Sequence, residues 1–338
     1  MIDLIFVLAT TFLGSLLLIF GWIKIAHRMD MIDVPNARSS HQHPTPRGGG
    51  IGFITATFVG ILGWFGNLAL PWLFVPALGI AAIGAADDLK SLSPRRRFLF
   101  QILGASATVW WGKLSLQVIA FPTVTFLFSP QVGGILAVFF IVSMINIYNF
   151  MDGIDALAGG LGVISCVFFG IYFMQTGQMD WAVIQMILGA ALLGFLIWNY
   201  PKAKIFMGDV GAYFLGFYFA ILILIVSQGP DNVSIFVPTA WLSVIGVDAS
   251  ITILIRMIKR KKIWEAHKEH FFQKLHLSGW EHQQIIWLEY AHLIAVGSLG
   301  LVYLHTTSTQ LQWLILVAAL GSFVLKFMWI ESKWKLTR

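Results

Sequence analysis

Residues 146–155 read Asn146-Ile147-Tyr148-Asn149-Phe150-Met151-Asp152-Gly153-Ile154-Asp155, and they are the most informative part of this chain. Two amides and two carboxylates, each three residues apart, end an apolar run that is long enough to cross a bilayer. Polar groups at a membrane boundary are costly unless they bind something. On a helix or a 3₁₀ turn, this spacing keeps the four side chains close together. Their oxygen donors suit Mg²⁺, and Mg²⁺ commonly accompanies phosphate.

A structural alternative exists for the same stretch. Gly153 in the left-handed conformation would end a helix as its C-cap residue. That alternative accounts for Gly153 and for Asp152, but it does not require four polar residues in register. We therefore favour a functional interpretation of the cluster.

The composition is that of a membrane protein. The chain has 338 residues, of which 11% are charged, whereas a soluble domain carries roughly 25% charged residues. Its mean hydropathy is +0.80. The net charge of +6 is explained by basic cytoplasmic loops, so nucleic acid is not an expected partner. The single cysteine, Cys166, excludes an intramolecular disulfide. We predict one integral-membrane domain over residues 1–338.

Hydropathy averaged over about 20 residues predicts an all-α polytopic membrane protein, a bundle of about eleven transmembrane helices. The predicted spans lie near 3–25, 49–67, 71–87, 98–113, 132–150, 157–175, 181–199, 211–228, 235–256, 287–305 and 309–330. Residues 114–131, which contain Pro122 and Pro130, are predicted to form a re-entrant or surface loop.

The distribution of Lys and Arg predicts the orientation. With the N-terminus outside and the C-terminus in the cytoplasm, all of the 22 Lys and Arg residues except Lys113 fall in or beside cytoplasmic loops. This is the bias that the positive-inside rule describes. The same topology gathers every chemically suggestive segment on the cytoplasmic side, so we expect the functional site in cytoplasmic loops.

Two further acidic motifs lie at predicted helix ends on that side. Asp87 and Asp88 end the third span, where adjacent carboxylates repel each other unless one accepts a proton or a cation lies between them. A solvated helix end, balanced by nearby basic residues, explains them equally well. Asp209 precedes the eighth span between Gly208 and Gly211, whose backbone N–H groups are open to a phosphate at a helix N-terminus. An ordinary N-cap is the structural alternative for Asp209.

Basic and glycine-rich loops add candidate anion contacts. Residues 38–50 contain His41, Arg47 and three consecutive glycines, an arrangement that can approach a phosphate but that carries little weight alone. Arg97 belongs to a basic run after Asp88, which either clamps phosphate or marks the cytoplasmic side. For these loops, a functional interpretation and a structural interpretation are about equally supported.

The longest predicted cytoplasmic loop contributes two histidines. His267 and His270 belong to a predicted amphipathic helix over 263–277, where they share a face with Lys274. They are candidates for phosphate contacts, for zinc ligands without an evident third ligand, or for interfacial residues. Ser278 and Glu281 are predicted to form a capping box for the next helix. Asp248, inside the ninth span, is expected to have a structural role.

Together these motifs resemble the polyprenyl-phosphate N-acetylhexosamine-1-phosphate transferases. The motifs occur in the family's order and are Asp87-Asp88, Asn146-x-x-Asn149-x-x-Asp152-Gly153-x-Asp155 and Phe206-x-Gly208-Asp209-x-Gly211. The resemblance extends from Asp33 to about His282. The phospho-MurNAc-pentapeptide translocase carries adjacent histidines where this chain has Ala266-His267-Lys268-Glu269-His270, which argues against MurNAc-pentapeptide as the substrate. This spacing, together with residues 35–41 and 44–50, is similar to the O-antigen-initiating branch. Ala156 departs from the family pattern, in which glycine is usual.

The resemblance implies a role for each candidate residue. Asp209 and Asn149 are implied metal ligands, while Asp87 is the implied base or lipid-phosphate partner, assisted by Asp88. The implied substrate-binding residues are Asn146, Asp152, Asp155, Arg97, His267, His270, His41 and Arg47. Asp152 and Asp155 would face the nucleotide-sugar, and the two histidines with nearby basic residues would hold pyrophosphate.

The resemblance also implies an activity. It is the transfer of N-acetylhexosamine 1-phosphate from a UDP-N-acetylhexosamine to undecaprenyl phosphate, with release of UMP, as the first membrane step of O-antigen or related polysaccharide synthesis. The implied location is the bacterial inner membrane among membrane lipids, with Mg²⁺ as cofactor and Mn²⁺ as its substitute. A homodimer, the identity of the sugar and a one-step or aspartyl-phosphate route are left open. The alternatives are a translocase-like enzyme and a secondary transporter with acidic residues at its cytoplasmic face.

Overall fold

The computed structural model describes residues 2–35, 43–229, 233–262 and 267–336. Its helices are α1 Ile2–Arg28, α2 Gly50–Phe65, α3 Pro71–Lys90, α4 Pro94–Trp111, α5 Pro130–Met151, α6 Leu157–Gln175, α7 Met179–Asn199, α8 Gly208–Ser227, α9 Phe236–Ala240, α10 Ser243–Ile258, α11 Phe271–Leu277, α12 His282–Leu304 and α13 Thr309–Leu336. Two antiparallel strand pairs join β1 Ile32–Asp33 to β2 Thr45–Pro46 and β3 Val118–Ala120 to β4 Thr125–Leu127.

The apolar helices confirm the predicted class of all-α polytopic membrane protein. In the described part of the chain, eight helices are long and apolar enough to cross a membrane, namely α1, α3, α5, α6, α7, α8, α12 and α13. Each of the eleven predicted spans overlaps a helix, and the ninth is divided between α9 and α10. The number of crossings and the orientation stay predictions.

The stretch 114–131, predicted as a loop, contains a hairpin. In its register Val118 lies opposite Leu127 and Ala120 opposite Thr125. Pro122 falls in the connection between the strands, where its missing N–H removes no ladder hydrogen bond. With strands of three residues, the alternation of apolar and polar side chains is too short to be recognised in the sequence.

The helix predicted over 263–277 is shorter than expected. Residues 263–266 lie outside the described residues, and α11 begins only at Phe271. His270 is the N-cap residue, with extended backbone angles of −63° and 149°. The prediction that His267 and His270 share a helix face with Lys274 is therefore wrong.

The predicted capping box between Ser278 and Glu281 is also wrong. Ser278 ends α11 as its C-cap residue. Glu281 is the N-cap of α12, and its capping-box partner is Gln284. The residue types were appropriate, but the helix begins three residues later than the pattern suggested.

Helix α8 lies at the centre of the bundle, where nearly all of its side chains are buried. It packs against α2, α3, α5, α6 and α9. Two glycines allow the close approach at its first turn. A Cβ atom on Gly84 of α3 would lie 2.5 Å from the backbone oxygen of Asp209, and one on Gly50 of α2 would lie 2.4 Å from the nitrogen of Gly211. The first turn of α8 is therefore held between α2 and α3.

This packing predicts that alanine substitutions at two glycines of α3 differ in their effect on stability. Gly84→Ala places a methyl group against backbone that cannot rotate away, and such overpacking costs about 1–3 kcal/mol. Gly79→Ala, on the same helix with nothing within 4 Å of its added Cβ atom, should be neutral or slightly stabilising. Thermal unfolding in detergent measures both. Equal transition temperatures for the two variants would contradict the close α3–α8 contact.

Candidate active site

Three carboxylates meet at one end of the bundle. We call Asp87 and Asp88, at the end of α3, and Asp209, at the start of α8, the carboxylate cluster. The carboxyl groups of Asp87 and Asp209 are close enough to interact electrostatically. Asn149, near the end of α5, donates from Nδ2 to Asp209 Oδ1 at 2.6 Å. Three segments that are far apart in sequence thus contribute to one polar centre.

Asp87 is held by contacts to both of its oxygens. The backbone N–H of Leu92 donates to Oδ1 at 2.6 Å. Arg97 Nη1, from α4, lies 3.2 Å from Oδ2. The Tyr213 hydroxyl, from α8, donates to the same oxygen at 2.9 Å. The Asp87 side chain is buried, so these contacts fix the direction in which its carboxylate points.

Asp88 caps helix α8 from a different helix. Its Oδ1 accepts the N–H of Asp209 and its Oδ2 accepts the N–H of Val210, each at 3.1 Å. The N-cap residue Met207 makes no side-chain bond of this kind. The alternative that Asp209 is an ordinary N-cap is therefore wrong, and the assisting catalytic role predicted for Asp88 stays a prediction.

Gly208 and the preceding glycines fit this arrangement. Gly208 has a φ of +75°, and a Cβ atom there would lie 2.5 Å from Asp88 Oδ2. The N–H groups of Gly49 and Gly50 donate to the carbonyls of Phe206 and Met207 at 2.9 Å. The N–H groups of Gly49 and Gly50 are thus occupied by the segment before α8 and are not open to a phosphate.

The basic residues of the predicted site have different positions. Arg97 contacts Asp87 directly. Arg47 interacts electrostatically with Asp88, and its Nε atom is buried without a hydrogen-bond partner among the described residues. His41 lies outside the described residues.

The polar run of residues 146–155 does not lie on one continuous helix. Helix α5 ends at Met151, and Asp152 is its C-cap residue with φ −79°. Asn146 lies in the last part of the helix and donates to Gln101 Oε1 of α4 at 2.8 Å. Gly153 is not left-handed, so the C-cap alternative is wrong. A Cβ atom on Gly153 would lie 2.9 Å from the ring of Phe272, and this explains the glycine.

Asp155 turns toward the segment that leads into α8. Its Oδ2 accepts the Ala203 N–H at 3.1 Å and lies 3.3 Å from Nδ1 of His282. The next residue, Ala156, has a φ of +60° and donates its N–H to Asn199 Oδ1 at 2.9 Å. A glycine would adopt this left-handed backbone without strain, whereas Ala156 carries a Cβ atom there.

Asp152 lies between these two regions. Burial raises the pKa of its carboxyl group to about 7, and the nearby carboxylates of Asp88 and Asp155 act in the same direction. Near neutral pH, Asp152 is thus poised between its neutral and ionised forms.

The two predicted histidines lie beside the end of α5. The His270 ring centroid is 6.3 Å from that of Phe150, and its Nδ1 is 3.1 Å from Asp248 Oδ1. Asp248 also accepts the N–H groups of Phe271 and Phe272 at 3.2 Å, so it caps α11 as its expected structural role implied. In the described ranges, no three His, Cys, Asp or Glu side chains are arranged to hold a metal ion, so a zinc role is not supported.

His267 is uncharged near neutral pH. Burial lowers the pKa of its imidazole to about 4, and the neighbouring His270 and Arg256 lower it further. Its Nδ1 accepts the N–H of Glu269 at 3.3 Å. His267 is therefore available as a hydrogen-bonding group rather than as a positive charge.

Several site residues were missed in the sequence. Tyr213 follows Asp209 by one helical turn, and this i, i+4 spacing was the one available signal. Gln101, Asn199 and His282 contact Asn146, Ala156 and Asp155 from distant parts of the chain. No local pattern marks such partners.

The fold and the site define a multi-pass membrane protein with a carboxylate centre at one end of its helices. Residues 70–227 match the family described as Glycosyl transferase family 4. The chain is 30% identical over 273 residues to the "Probable undecaprenyl-phosphate N-acetylglucosaminyl 1-phosphate transferase" of Bacillus subtilis (strain 168), with 79% of this chain and 75% of that protein covered. It is 28% identical over 346 residues to the "Undecaprenyl-phosphate alpha-N-acetylglucosaminyl 1-phosphate transferase" of Escherichia coli (strain K12), with 98% and 92% covered.

The chain therefore belongs to the polyprenyl-phosphate N-acetylhexosamine-1-phosphate transferases of glycosyl transferase family 4, and it is an enzyme. The resemblance found in the motifs is confirmed. The roles of individual residues stay predictions.

The raised pKa of Asp152 predicts a pH-dependent stability. The proton bound to Asp152 stabilises the folded state. This contribution to the free energy of unfolding is complete below pH 3.8, the ordinary pKa of the group, and is lost as the pH rises through about 7. Asp152→Asn cannot ionise, so its unfolding temperature should rise relative to the wild type as the pH increases from about 5 to about 8. Thermal unfolding without divalent metal measures this difference. A difference that is constant with pH would contradict the assignment.

Proposed function

We propose that this enzyme transfers N-acetylhexosamine 1-phosphate from a UDP-N-acetylhexosamine to undecaprenyl phosphate. An oxygen of the lipid phosphate attacks the β-phosphorus of the donor. The bond from that phosphorus to the bridging oxygen breaks, and UMP leaves with the electron pair. Undecaprenyl-diphospho-N-acetylhexosamine remains in the membrane. The observation that carries the proposal is the meeting of Asp87, Asn149 and Asp209 at one end of the bundle.

The relatives support one donor over the others. Both similar proteins are named as N-acetylglucosaminyl 1-phosphate transferases of undecaprenyl phosphate. We therefore propose UDP-N-acetylglucosamine as the first donor to assay, followed by the GalNAc, QuiNAc and FucNAc donors. Initiation of O-antigen or a related cell-envelope polysaccharide is the proposed biological role. It is supported by the spacing of His267 and His270.

The carboxylate cluster fits a divalent cation. Two carboxyl groups in contact repel each other unless a proton or a cation lies between them. Mg²⁺ is commonly held by one or two carboxylates together with substrate phosphates, so it needs no third acidic ligand. Asp209 would provide a carboxylate. Asn149 would provide its Oδ1 atom after its side-chain amide group flips by about 180°. Mg²⁺ bound there, or Mn²⁺ in its place, would offset negative charge on the diphosphate.

The residues around the cluster divide between the two substrates. Asp87 and Arg97 would face the lipid phosphate, where Asp87 keeps the attacking oxygen deprotonated or accepts its last proton. Asp152 and Asp155 would face the nucleotide-sugar from the other side. Asn146 would orient α5 through its bond to Gln101. This division places the acceptor on the α3–α4 side and the donor on the α5–α6 side.

Two groups of residues would contact the diphosphate. His267 and His270 would approach it from the segment before α11. His267 is neutral, so it would contribute a hydrogen bond and not a positive charge. Arg47 is near the cluster and would add positive charge, as His41 would when protonated.

The proposed location is the cytoplasmic side of a bacterial inner membrane. The bias of Lys and Arg toward one set of loops supports this orientation. A secondary transporter is disfavoured, because transporters bind their substrates near the midplane of the membrane. In this chain the carboxylate cluster lies where α3 ends and α8 begins.

Replacing the proposed metal ligand tests the function. Asp209→Ala should reduce UMP release from UDP-N-acetylglucosamine and undecaprenyl phosphate by about 10³-fold or more, because positioned charge carries most of the catalysis in phosphoryl transfer. The fold should survive, since Asp88 bonds only the backbone of Asp209, and the side-chain bond that is lost is the one from Asn149. Asp180→Ala, in the first turn of α7, is the matched control. Wild-type rates of UMP release from Asp209→Ala at ordinary Mg²⁺ would remove the metal assignment.

A further inference from the structure

Tyr213 brings a hydroxyl group into the carboxylate cluster from helix α8, one turn after Asp209. Its oxygen donates to Asp87 Oδ2 at 2.9 Å and lies 3.4 Å from Arg97 Nη1. The side chain is 1% exposed. A buried hydroxyl needs a partner, and this one bridges an acid and a base that belong to two other helices.

The three contacts of Asp87 differ in how easily a substrate could replace them. The Leu92 N–H belongs to the backbone. The Arg97 side chain is 33% exposed, whereas Asp87 is 4% exposed. An arriving phosphate can therefore bind Arg97 and draw it away from Asp87, because Arg pairs readily with phosphate oxygens. The buried Tyr213 hydroxyl would then be the side-chain contact that still holds Asp87 Oδ2.

We propose that Tyr213 is a positioning residue that keeps the Asp87 carboxylate aimed at the acceptor phosphate while Arg97 exchanges from Asp87 to that phosphate. This inference rests on the proposed function, since it assigns Asp87 and Arg97 to the acceptor. In this arrangement the hydroxyl lies on the acceptor side of the cluster, with Asp87 and Arg97 as its partners. Its loss therefore affects the use of the acceptor and leaves donor binding intact.

The same helix provides a matched control. Tyr218 is also 1% exposed, and its hydroxyl is bonded to Gln185 Nε2 of α7 at 2.7 Å. Tyr213→Phe and Tyr218→Phe each remove one buried hydroxyl from α8. Only the hydroxyl of Tyr213 contacts the carboxylate cluster. A general loss of stability in α8 would appear in both variants, whereas an effect on the cluster would appear only in Tyr213→Phe.

The experiment measures UMP release with each substrate varied, and it measures donor binding separately without acceptor. Tyr213→Phe should lower kcat/KM for undecaprenyl phosphate by about 10- to 100-fold, the range for a lost hydrogen bond to a charged group. Its Kd for UDP-N-acetylglucosamine should stay within about twofold of the wild type, because the proposed donor side of the cluster is formed by Asp152 and Asp155 and not by Tyr213. Tyr218→Phe should keep wild-type kcat/KM for both substrates.

A rescue separates the hydroxyl from the ring. Incorporation of 3-fluorotyrosine at position 213 restores an O–H donor on a slightly altered ring, so it should recover most of the activity lost in Tyr213→Phe. If Tyr213→Phe fails to fold, the enzyme with 3-fluorotyrosine at position 213 is compared with the enzyme that carries 3-fluorotyrosine at position 218 as the control.

The outcomes distinguish this inference from the proposed function. No UMP release by the wild-type enzyme from any UDP-N-acetylhexosamine would overturn the proposed function. An active wild type with equal acceptor kcat/KM in Tyr213→Phe and Tyr218→Phe would overturn the role of Tyr213 alone. The same conclusion would follow if Tyr213→Phe weakened donor binding as strongly as acceptor use, or if 3-fluorotyrosine gave no recovery.

Discussion

The hydrogen bonds from the start of α8 to Asp88 are the interaction on which the rest of the site depends. The first N–H groups of a helix have no partner within it and carry partial positive charge. In this chain, the N–H groups of Asp209 and Val210 are bonded to a carboxylate from α3. The Asp209 side chain is consequently free to meet Asn149 and Asp87. Gly208 and Gly84 are required by the same contact, because a side chain at either would overlap atoms of this junction.

The charge balance of the site follows from this junction. Three carboxylates are brought together among apolar helices, and positive charge comes from Arg97 and Arg47. The neighbouring Asp152 shifts so that it carries less negative charge, since burial and the carboxylate of Asp88 raise the pKa of its carboxyl group. A centre of this charge favours the binding of a cation, and a bound cation would in turn favour the binding of the donor's diphosphate. The proposed function uses both preferences, and the proposed role of Tyr213 keeps one carboxylate in place as the charges rearrange.

Much of the fold and the positions of the main site residues could be predicted from the sequence. Long apolar runs predict membrane helices, because the bilayer excludes unsatisfied backbone groups. The motifs around Asp87, Asn149 and Asp209 predicted a shared centre. What failed depended on contacts between distant segments. Asp88 caps another helix, Gly153 accommodates Phe272, and His270 caps α11 instead of lying within a longer helix. Neither residue type nor local spacing encodes such partners.

Pulsed EPR of Mn²⁺ tests the claimed metal centre most directly. Mn²⁺ and UDP-N-acetylglucosamine would be added to the wild-type enzyme and to Asp209→Asn, and the ³¹P hyperfine coupling to the bound ion would be measured. We expect protein-bound Mn²⁺ coupled to the diphosphate of the donor in the wild type, and loss of that signal in Asp209→Asn. An unchanged ³¹P-coupled signal in Asp209→Asn, or no such signal in an active wild-type enzyme, would contradict it.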